Sequence, residues 1–361
     1  MTQACDIAIV GAGMAGASLA AALEGRARVV LIESEEAPGY HATGRSAAFW
    51  TESYGGPGVQ PLTSASGPAL RDLGMLSARA ALTIGRSGQE REVADFARKF
   101  ADLGVVVELL DHARLADHIP GLRGEWTLGA FEPSCCDIDV AALHQHYLVA
   151  ARKAGAHVRC RAGLRAARRE GGGWRLDLAD GSALSCEVLV NAAGAWADPV
   201  AGIAGVRPVG ITPFRRTVAQ LEVAPAAPAD LPLVLDVSEK FYFKPERGRL
   251  WLSPHDETPS PPCDAAPEEM DVALAIDRLE QVVDWSVRRV EHRWAGLRSF
   301  APDRLPVYGF DPAEPRFFWC AGQGGFGIQT APAGADLAAR LLLGEPAGAV
   351  DPAPYDPARF A

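Results

Sequence analysis

A chain of 361 residues with 45 acidic and 35 basic side chains carries a net charge of −10, which argues against a phosphate-backbone partner, and no DNA or RNA role is expected. Hydrophobic residues make up 48% and charged residues 22%, the balance of an ordinary globular protein, and the length suits two lobes better than one core. Seven cysteines, an odd number with no C-x-x-C spacing, argue against a disulfide framework or a structural zinc site; no metal is expected, and the compartment should be reducing.

The opening stretch "MTQACDIAIVGAG" has no basic segment ahead of an apolar run, and no window approaches the length of a membrane-spanning helix. Neither export nor a membrane span is expected, and the location expected is cytoplasmic. An apolar strand, Ile7 to Val10, runs into a turn at Gly11, Gly13 and Gly16 and then an alanine-rich helix ending near Leu23. A second buried strand, Arg28 to Glu33, ends in an acid 22 residues after the first glycine. This is G-x-G-x-x-G in the setting that gives it meaning. Gly11 permits the tight turn, Gly13 lets backbone approach a pyrophosphate, and Gly16 lets helix and strand pack closely. The helix N-terminus offers N–H groups and partial positive charge to that pyrophosphate. Glu33 can accept both ribose hydroxyls and disfavours a 2′-phosphate, so NAD or FAD is expected and NADP is not.

"GYHATGRSAAFW", Gly39 to Trp50, reads as neither helix nor strand, and its Arg45 and Ser46 suit phosphate oxygens. Short apolar or alternating runs follow: "ALTIG", "WTLGAFEP", and later "TVAQLEV", "LVLDV", "FYFKP" and "GRLWLSP". Separated by Pro and Gly, they suit the antiparallel sheet of a second lobe. The proline-rich pieces "VAPAAPADLP" and "DETPSPPCDAAPEE" read as surface loops. In "DIDVAALHQHY", Asp139 caps a helix whose His144 and His146 face largely outward, and the adjacent Cys135 and Cys136 are packing residues. "RCRAGLRAARRE" reads as a solvated strand edge, and "WRLDLADGSALSCEVLV" as a hairpin feeding a strand that breaks into "NAAGAW". Both "MDVALAIDRLEQV" and "VDWSVRRVEH" show helical spacing. A last apolar strand, Phe317 to Ala321, meets glycines at 322, 324, 325 and 327 and then a helix from about Pro332 to Leu343. Three strand-to-glycine turns spread along the chain imply one extended ligand touched from three sides, as a flavin dinucleotide would be.

Together "IVGAGMAGAS", "GRSAA", "NAAGAW", "FYFKP", "AGLRSF" and "GGFGIQT", in this order from the first strand to the last helix, resemble the D-amino-acid oxidase superfamily of FAD-dependent oxidoreductases. Within it the glycine oxidase, sarcosine oxidase and bacterial D-amino-acid dehydrogenase group is most similar, the D-arginine dehydrogenases above all. The resemblance implies an α/β fold, an FAD-binding Rossmann-like domain interleaved with an antiparallel-sheet substrate domain. The expected parts are 1–76, 137–206 and 297–361 for FAD, and 77–136 and 207–296 for substrate. It extends the FAD-binding set beyond Gly11, Gly13, Gly16, Glu33, Arg45 and Ser46 to Met14, Ala15, Ser34, Thr43, Gly44, Ala47, Ala48, Leu164, Ala192, Ala193, Gly194, Trp196, Arg298, Gly324, Gly325, Phe326, Gly327, Ile328 and Gln329. Some relatives attach flavin to a late cysteine, but "AGLRSF" has none and Cys320 lies within a strand, so noncovalent FAD is expected.

Oxidising an amine at carbon needs a flavin as hydride acceptor, an oriented Cα–H and a clamp for the substrate carboxylate. By the resemblance Arg298 is that clamp, Tyr242 donates to the same carboxylate, Arg216 is a second pocket arginine, and Tyr54, flanked by glycines, closes over the substrate as a lid. Phe49, Ala81 and Gly325 line the substrate pocket. Arginine-oxidising relatives carry a histidine where this chain has Phe49 and an acid near Ala81. A cationic side chain would then be buried unpaired, so a D-amino acid with a neutral or apolar side chain is expected. The product is a 2-oxo acid with ammonia, and the electron acceptor is oxygen, a quinone or another carrier. Glycine, sarcosine or another secondary amine, or a 2-hydroxy acid, suits the same fold, and a noncatalytic FAD-binding subunit is the reading from another class.

Overall fold

A computed structural model describes residues 3–361. Strand Gln3–Val10 lies between Val29–Ile32 and Ala183–Asn191, all parallel, and the parallel order continues to His157–Arg159 on one side and Phe317–Ala321 on the other. Helices Met14–Ala22 and Ala331–Leu343 bring Leu19, Ala20, Leu337 and Ala338 to one apolar cluster of this sheet, while Val200 and Ala201 of helix Ala197–Ile203 join Trp174 and Leu176 in the other. Burial from both sides explains why Val29–Ile32 and Phe317–Ala321 are unbroken apolar runs. The hairpin Gly173–Leu178 and Ala183–Asn191 forms as its sequence implies, and Leu164–Glu170 is the exposed edge beyond it.

The second sheet has ten strands, among them Ala81–Arg86, Trp126–Glu132, Thr212–Ala224, Tyr242–Glu246, Arg249–Ser253 and Ser286–Phe300. It is antiparallel except for one parallel pair, Leu233–Asp236 with Ala81–Arg86. Helix Glu269–Glu280 covers it with Val272, Ala275 and Leu279. Phe49–Trp50, Cys136–Ile138 and Leu76–Ala78 form a third, small sheet.

One expectation about secondary structure is corrected. "VDWSVRRVEH" is not helical: from Ser286 it belongs to the long strand Ser286–Phe300. Its register on Thr212–Ala224 shifts twice, so that Val223 pairs with Val287 and Leu221 with Val290. Each irregularity inserts an extra residue, which stretches an apolar period of two to three and imitates helical spacing. Strands Leu76–Ala78, Cys136–Ile138 and Ser286–Phe300 run through positions 76/77, 136/137 and 296/297.

Because Gln3–Val10, Ala183–Asn191 and Phe317–Ala321 run parallel, the turns that follow them lie at the same edge of the sheet. Three glycine turns distant in sequence thus converge. No helix among the described residues is long and apolar enough to cross a membrane.

Candidate functional site

At that edge a cleft of roughly 460 Å³ is lined by Gly11, Gly13, Met14, Ala15, Glu33, Ser34, Thr43, Arg45, Ser46, Leu164, Ala192, Ala193, Gly194, Trp196, Arg298, Gly324, Gly325, Gly327 and Ile328. The backbone is closely fitted. Gly11 has φ +101°, and a Cβ there would lie 2.4 Å from the Ala192 carbonyl oxygen. One on Gly16 would lie 2.0 Å from the Gly11 oxygen, which ties that glycine to helix packing rather than to the cleft. Met14 N–H donates to Thr43 Oγ1 at 3.0 Å, fastening the helix start to the Thr43–Arg45 turn. The buried Glu33 carboxylate accepts from Ala12 N at 3.0 Å through one oxygen and from Glu35 N at 3.0 Å through the other, and this holds it at the cleft wall.

Several expected cofactor residues lie elsewhere. Gly44 N–H bonds the Gly39 carbonyl at 2.8 Å, and Phe326 packs with Val59 and Phe300. Ala47, Ala48 and Gln329 line a second, adjoining cavity. Arg45 lines the cleft, but its guanidinium does not reach out for a phosphate. It pairs with Asp264 and donates to the carbonyls of Ala265 (2.9 Å) and Ala295 (3.3 Å), while Tyr40 OH donates to the same aspartate at 3.1 Å. The proline-rich loop at the surface thus reaches back to the cleft. His144 does not face outward either: it is buried, with Nε2 2.9 Å from the Ala12 carbonyl, beneath the glycine turn, whereas His146 is exposed. Asp139 does cap that helix, accepting from Ala142 N at 2.9 Å.

The second cavity is small and includes Ser46, Phe49, Tyr54, Arg216, Tyr242, Arg298, Gly325 and Gln329 in its walls. Arg298 and Gly296 stand on one face of strand Ser286–Phe300, and Arg216 is the cross-strand partner of Gly296. A Cβ at Gly296 would lie 3.0 Å from Arg298 Nη1 and 3.1 Å from Arg45 Cβ, so the missing side chain makes room for the arginines. Arg215, next in sequence, turns the other way, to Glu268 and Asp271. Arg216 is already partnered: it donates to the Asp256 carbonyl (2.8 Å), Glu257 (3.0 Å) and the Tyr54 hydroxyl (3.4 Å). Arg298 differs. It is 7% exposed, lines both cavities, and has no hydrogen bond or ion pair among the described residues. Burial, and Arg216 beside it, hold its pKa below the ordinary arginine value, Tyr242 opposing them. Burial raises that of Tyr242.

Phe49 sits edge-on to Tyr54 (5.1 Å between centroids) and Tyr242 (6.0 Å), backed by Ala47, Ala81, Cys135 and Leu233. Ala81 is therefore behind the aromatic wall rather than on it. His255, which nothing in the sequence marks, stands 5.6 Å from the Tyr242 ring and 6.3 Å from that of Tyr54, with φ +53° and Nδ1 2.7 Å from the Glu239 carbonyl. Burial, then Arg216, push its pKa down to about 3. In the unfolded chain the imidazole titrates near its ordinary 6.5, so between these values the unfolded state binds more protons and stability falls as pH drops. The variant His255→Gln should lose less stability than wild type between pH 7 and pH 4. Urea midpoints at the two pH values should show a difference of roughly 1–3 kcal/mol after discounting for partial exposure.

The residues fit FAD: a glycine turn too tight for a Cβ, a fixed carboxylate on the cleft wall, two further small-residue turns, and an unpartnered guanidinium where the cleft meets the second cavity. The family described as DAO, FAD dependent oxidoreductase, matches residues 6–341. The chain is 26% identical over 420 residues to hydrogen cyanide synthase subunit HcnC of Pseudomonas aeruginosa, covering 100% of this chain and 97% of that one. Its fold matches glycine oxidase from Geobacillus kaustophilus (TM-score 0.86, 24% identity, 98% of each chain). It also matches L-proline dehydrogenase from P. horikoshii (TM-score 0.87, 20% identity, 100% of this chain and 98% of that one). The chain thus belongs to the DAO family of FAD-dependent oxidoreductases, and FAD is its cofactor.

Proposed function

We propose that the protein oxidises the CH–NH2 group of a small D-amino acid with a neutral side chain, yielding an imino acid that water hydrolyses to a 2-oxo acid and ammonia. The observation that carries this reading is Arg298, a buried guanidinium with no protein partner, at the junction of the FAD cleft and the second cavity. A planar carboxylate satisfies it bidentately. Tyr242 donates to the same carboxylate, and Arg216, held by Glu257 and the Asp256 carbonyl, keeps the Tyr54 hydroxyl at the cavity. Bound FAD supplies the hydride acceptor. The chain orients the Cα–H toward the cleft through the carboxylate clamp and keeps water out with Phe49 and Tyr54. Two guanidinium groups and no carboxylate or imidazole among the described lining residues favour the amine in its neutral form. The D configuration rests on the resemblance of the sequence motifs to those of D-amino-acid oxidising enzymes.

Anaerobic bleaching of the FAD-loaded protein by a panel of D-, L- and N-methyl amino acids tests the reading. D-alanine and similarly small D-amino acids should bleach it, and L-amino acids, D-arginine and D-lysine should not. Reduction by no small amino acid would leave a noncatalytic FAD-binding subunit; preference for D-arginine or D-lysine would overturn the side-chain assignment. One observation favours a second reading, oxidation of glycine or N-methylglycine: the second cavity is small and closed by the rings of Phe49, Tyr54 and Tyr242, which leave little room for a side chain. Reoxidation by air compared with an artificial dye separates oxygen from a carrier as electron acceptor.

Phe49 sets the side-chain limit in this proposal. In Phe49→Ala, kcat/KM for a bulky substrate such as D-methionine should rise about tenfold relative to D-alanine, while the emptied space costs roughly 3–5 kcal/mol of stability. An unchanged substrate ranking would show that another wall is limiting.

A further inference from the structure

Glu132 ends strand Trp126–Glu132, is 2% exposed, and stands directly across the sheet from Ala81. An acid is therefore present beside the position where the sequence has none. Its carboxylate accepts five hydrogen bonds: from Thr51 Oγ1 (2.6 Å), Glu52 N (2.8 Å), Ser53 N (3.3 Å), Ser53 Oγ and Ser134 Oγ (3.1 Å). Four of the five come from the three residues that lead into Tyr54. The same segment is gripped from the opposite side by Gln329, whose amide donates to the Tyr54 carbonyl (3.2 Å) and accepts from Thr51 N (3.4 Å).

We infer that Glu132 is the positioning residue of the active site: it locks the Thr51–Ser53 turn so that Tyr54 stands as a fixed wall of the substrate cavity, and it does so with lone pairs no longer free for a cationic substrate. A carboxylate offers about four acceptor directions, and five donors saturate them. Gly55 and Gly56, which follow Tyr54 with φ +101° and +80°, supply the left-handed backbone that carries the chain away from the locked turn. That Tyr54 faces substrate rests on the function proposed above; the lock itself does not.

The test compares FAD-loaded wild type with Glu132→Gln, which keeps the shape but turns one oxygen into a donor. Amide hydrogen exchange at Glu52 and Ser53 should accelerate at least about tenfold, with helix Gln60–Asp72 unchanged. For whichever small amino acid reduces the flavin, KM should rise about tenfold with kcat within about threefold, because the loosened wall weakens binding of substrate and transition state alike. Unchanged exchange in folded Glu132→Gln overturns the proposal. So does a wild type that accepts D-arginine or D-lysine and loses only those substrates in the variant, since Glu132 would then be a substrate ligand. Should Glu132→Gln fail to fold, Ser53→Ala removes one donor, the Ser53 hydroxyl, from the loop side; faster exchange at Glu52 supports the lock and unchanged exchange refutes it. If no amino acid reduces the wild type, the proposed function falls, and the exchange measurement still decides the role of Glu132.

Discussion

Arg298→Met is expected to lower kcat/KM for the amino-acid substrate about a thousandfold, equal to about 4 kcal/mol, while making the substrate-free protein more stable. Both effects have one cause. The guanidinium is buried without a partner, so the folded protein bears the cost of desolvating a charge that only a bound carboxylate offsets. Methionine fills a similar volume and carries no charge, so thermal unfolding of the FAD-loaded variant should show a gain of roughly 1–3 kcal/mol. The kinetic loss should appear in KM, and also in kcat to the extent that a substrate held only by Tyr242 presents its Cα–H less well. Arg298→Lys keeps the charge but loses the planar fork and should fall about thirtyfold. Steady-state kinetics on D-alanine or glycine with parallel calorimetry checks the pair of effects. A variant that is less stable, or that retains wild-type kinetics, would place the carboxylate clamp elsewhere.

The second large effect is on cofactor retention. Gly11→Ala should weaken FAD binding at least about a hundredfold, giving a protein that purifies colourless. The methyl group would lie 2.4 Å from the Ala192 oxygen and 2.9 Å from its carbonyl carbon, and both are backbone atoms of another cleft turn that no rotamer change can move. A positive φ of 101° adds strain at the same point. Gly248→Ala, in the turn between strands Tyr242–Glu246 and Arg249–Ser253 and in the wall of neither cavity, is the informative control. Its φ is also positive, +76°, but its Cβ would meet open space, so it carries only the left-handed backbone penalty, about 1–2 kcal/mol. Fluorescence titration with FAD should separate the two variants clearly. Equal affinities would mean that the contact between the Gly11 and Ala192 turns does not shape the cleft.

How far the site was legible in the sequence depends on how local each feature is. The strand, glycine turn, helix, strand and acid of residues 3–33 are legible because every step is dictated within about thirty residues by apolar runs, turn chemistry and a single carboxylate. The three glycine turns could be assigned to one ligand for a similar reason: each ends an apolar run, and parallel strands bring such ends to one edge. Arg298 stood out as a charge in an apolar context. The helical appearance of Val283 to His292 misled because spacing alone does not distinguish a helix from a strand with extra residues, and the partner strand against which they are extra lies some seventy positions away.

By itself, then, the sequence determined the dinucleotide half of the molecule, the convergence of its turns and the presence of a buried arginine, since these follow from local period and composition. Only the tertiary structure decided which charges are already matched. Arg45 is held by Asp264 across 219 positions, Arg216 by Glu257 across 41, and Glu132 by the loop at Thr51 across 81, whereas Arg298 has no hydrogen-bond or ion-pair partner among the described residues. A charged side chain reads the same in sequence whether its counter-charge is protein or substrate. The difference lies in distances of a few ångströms between segments far apart along the chain, where electrostatic and hydrogen-bond energies are settled by the packing of the two sheets.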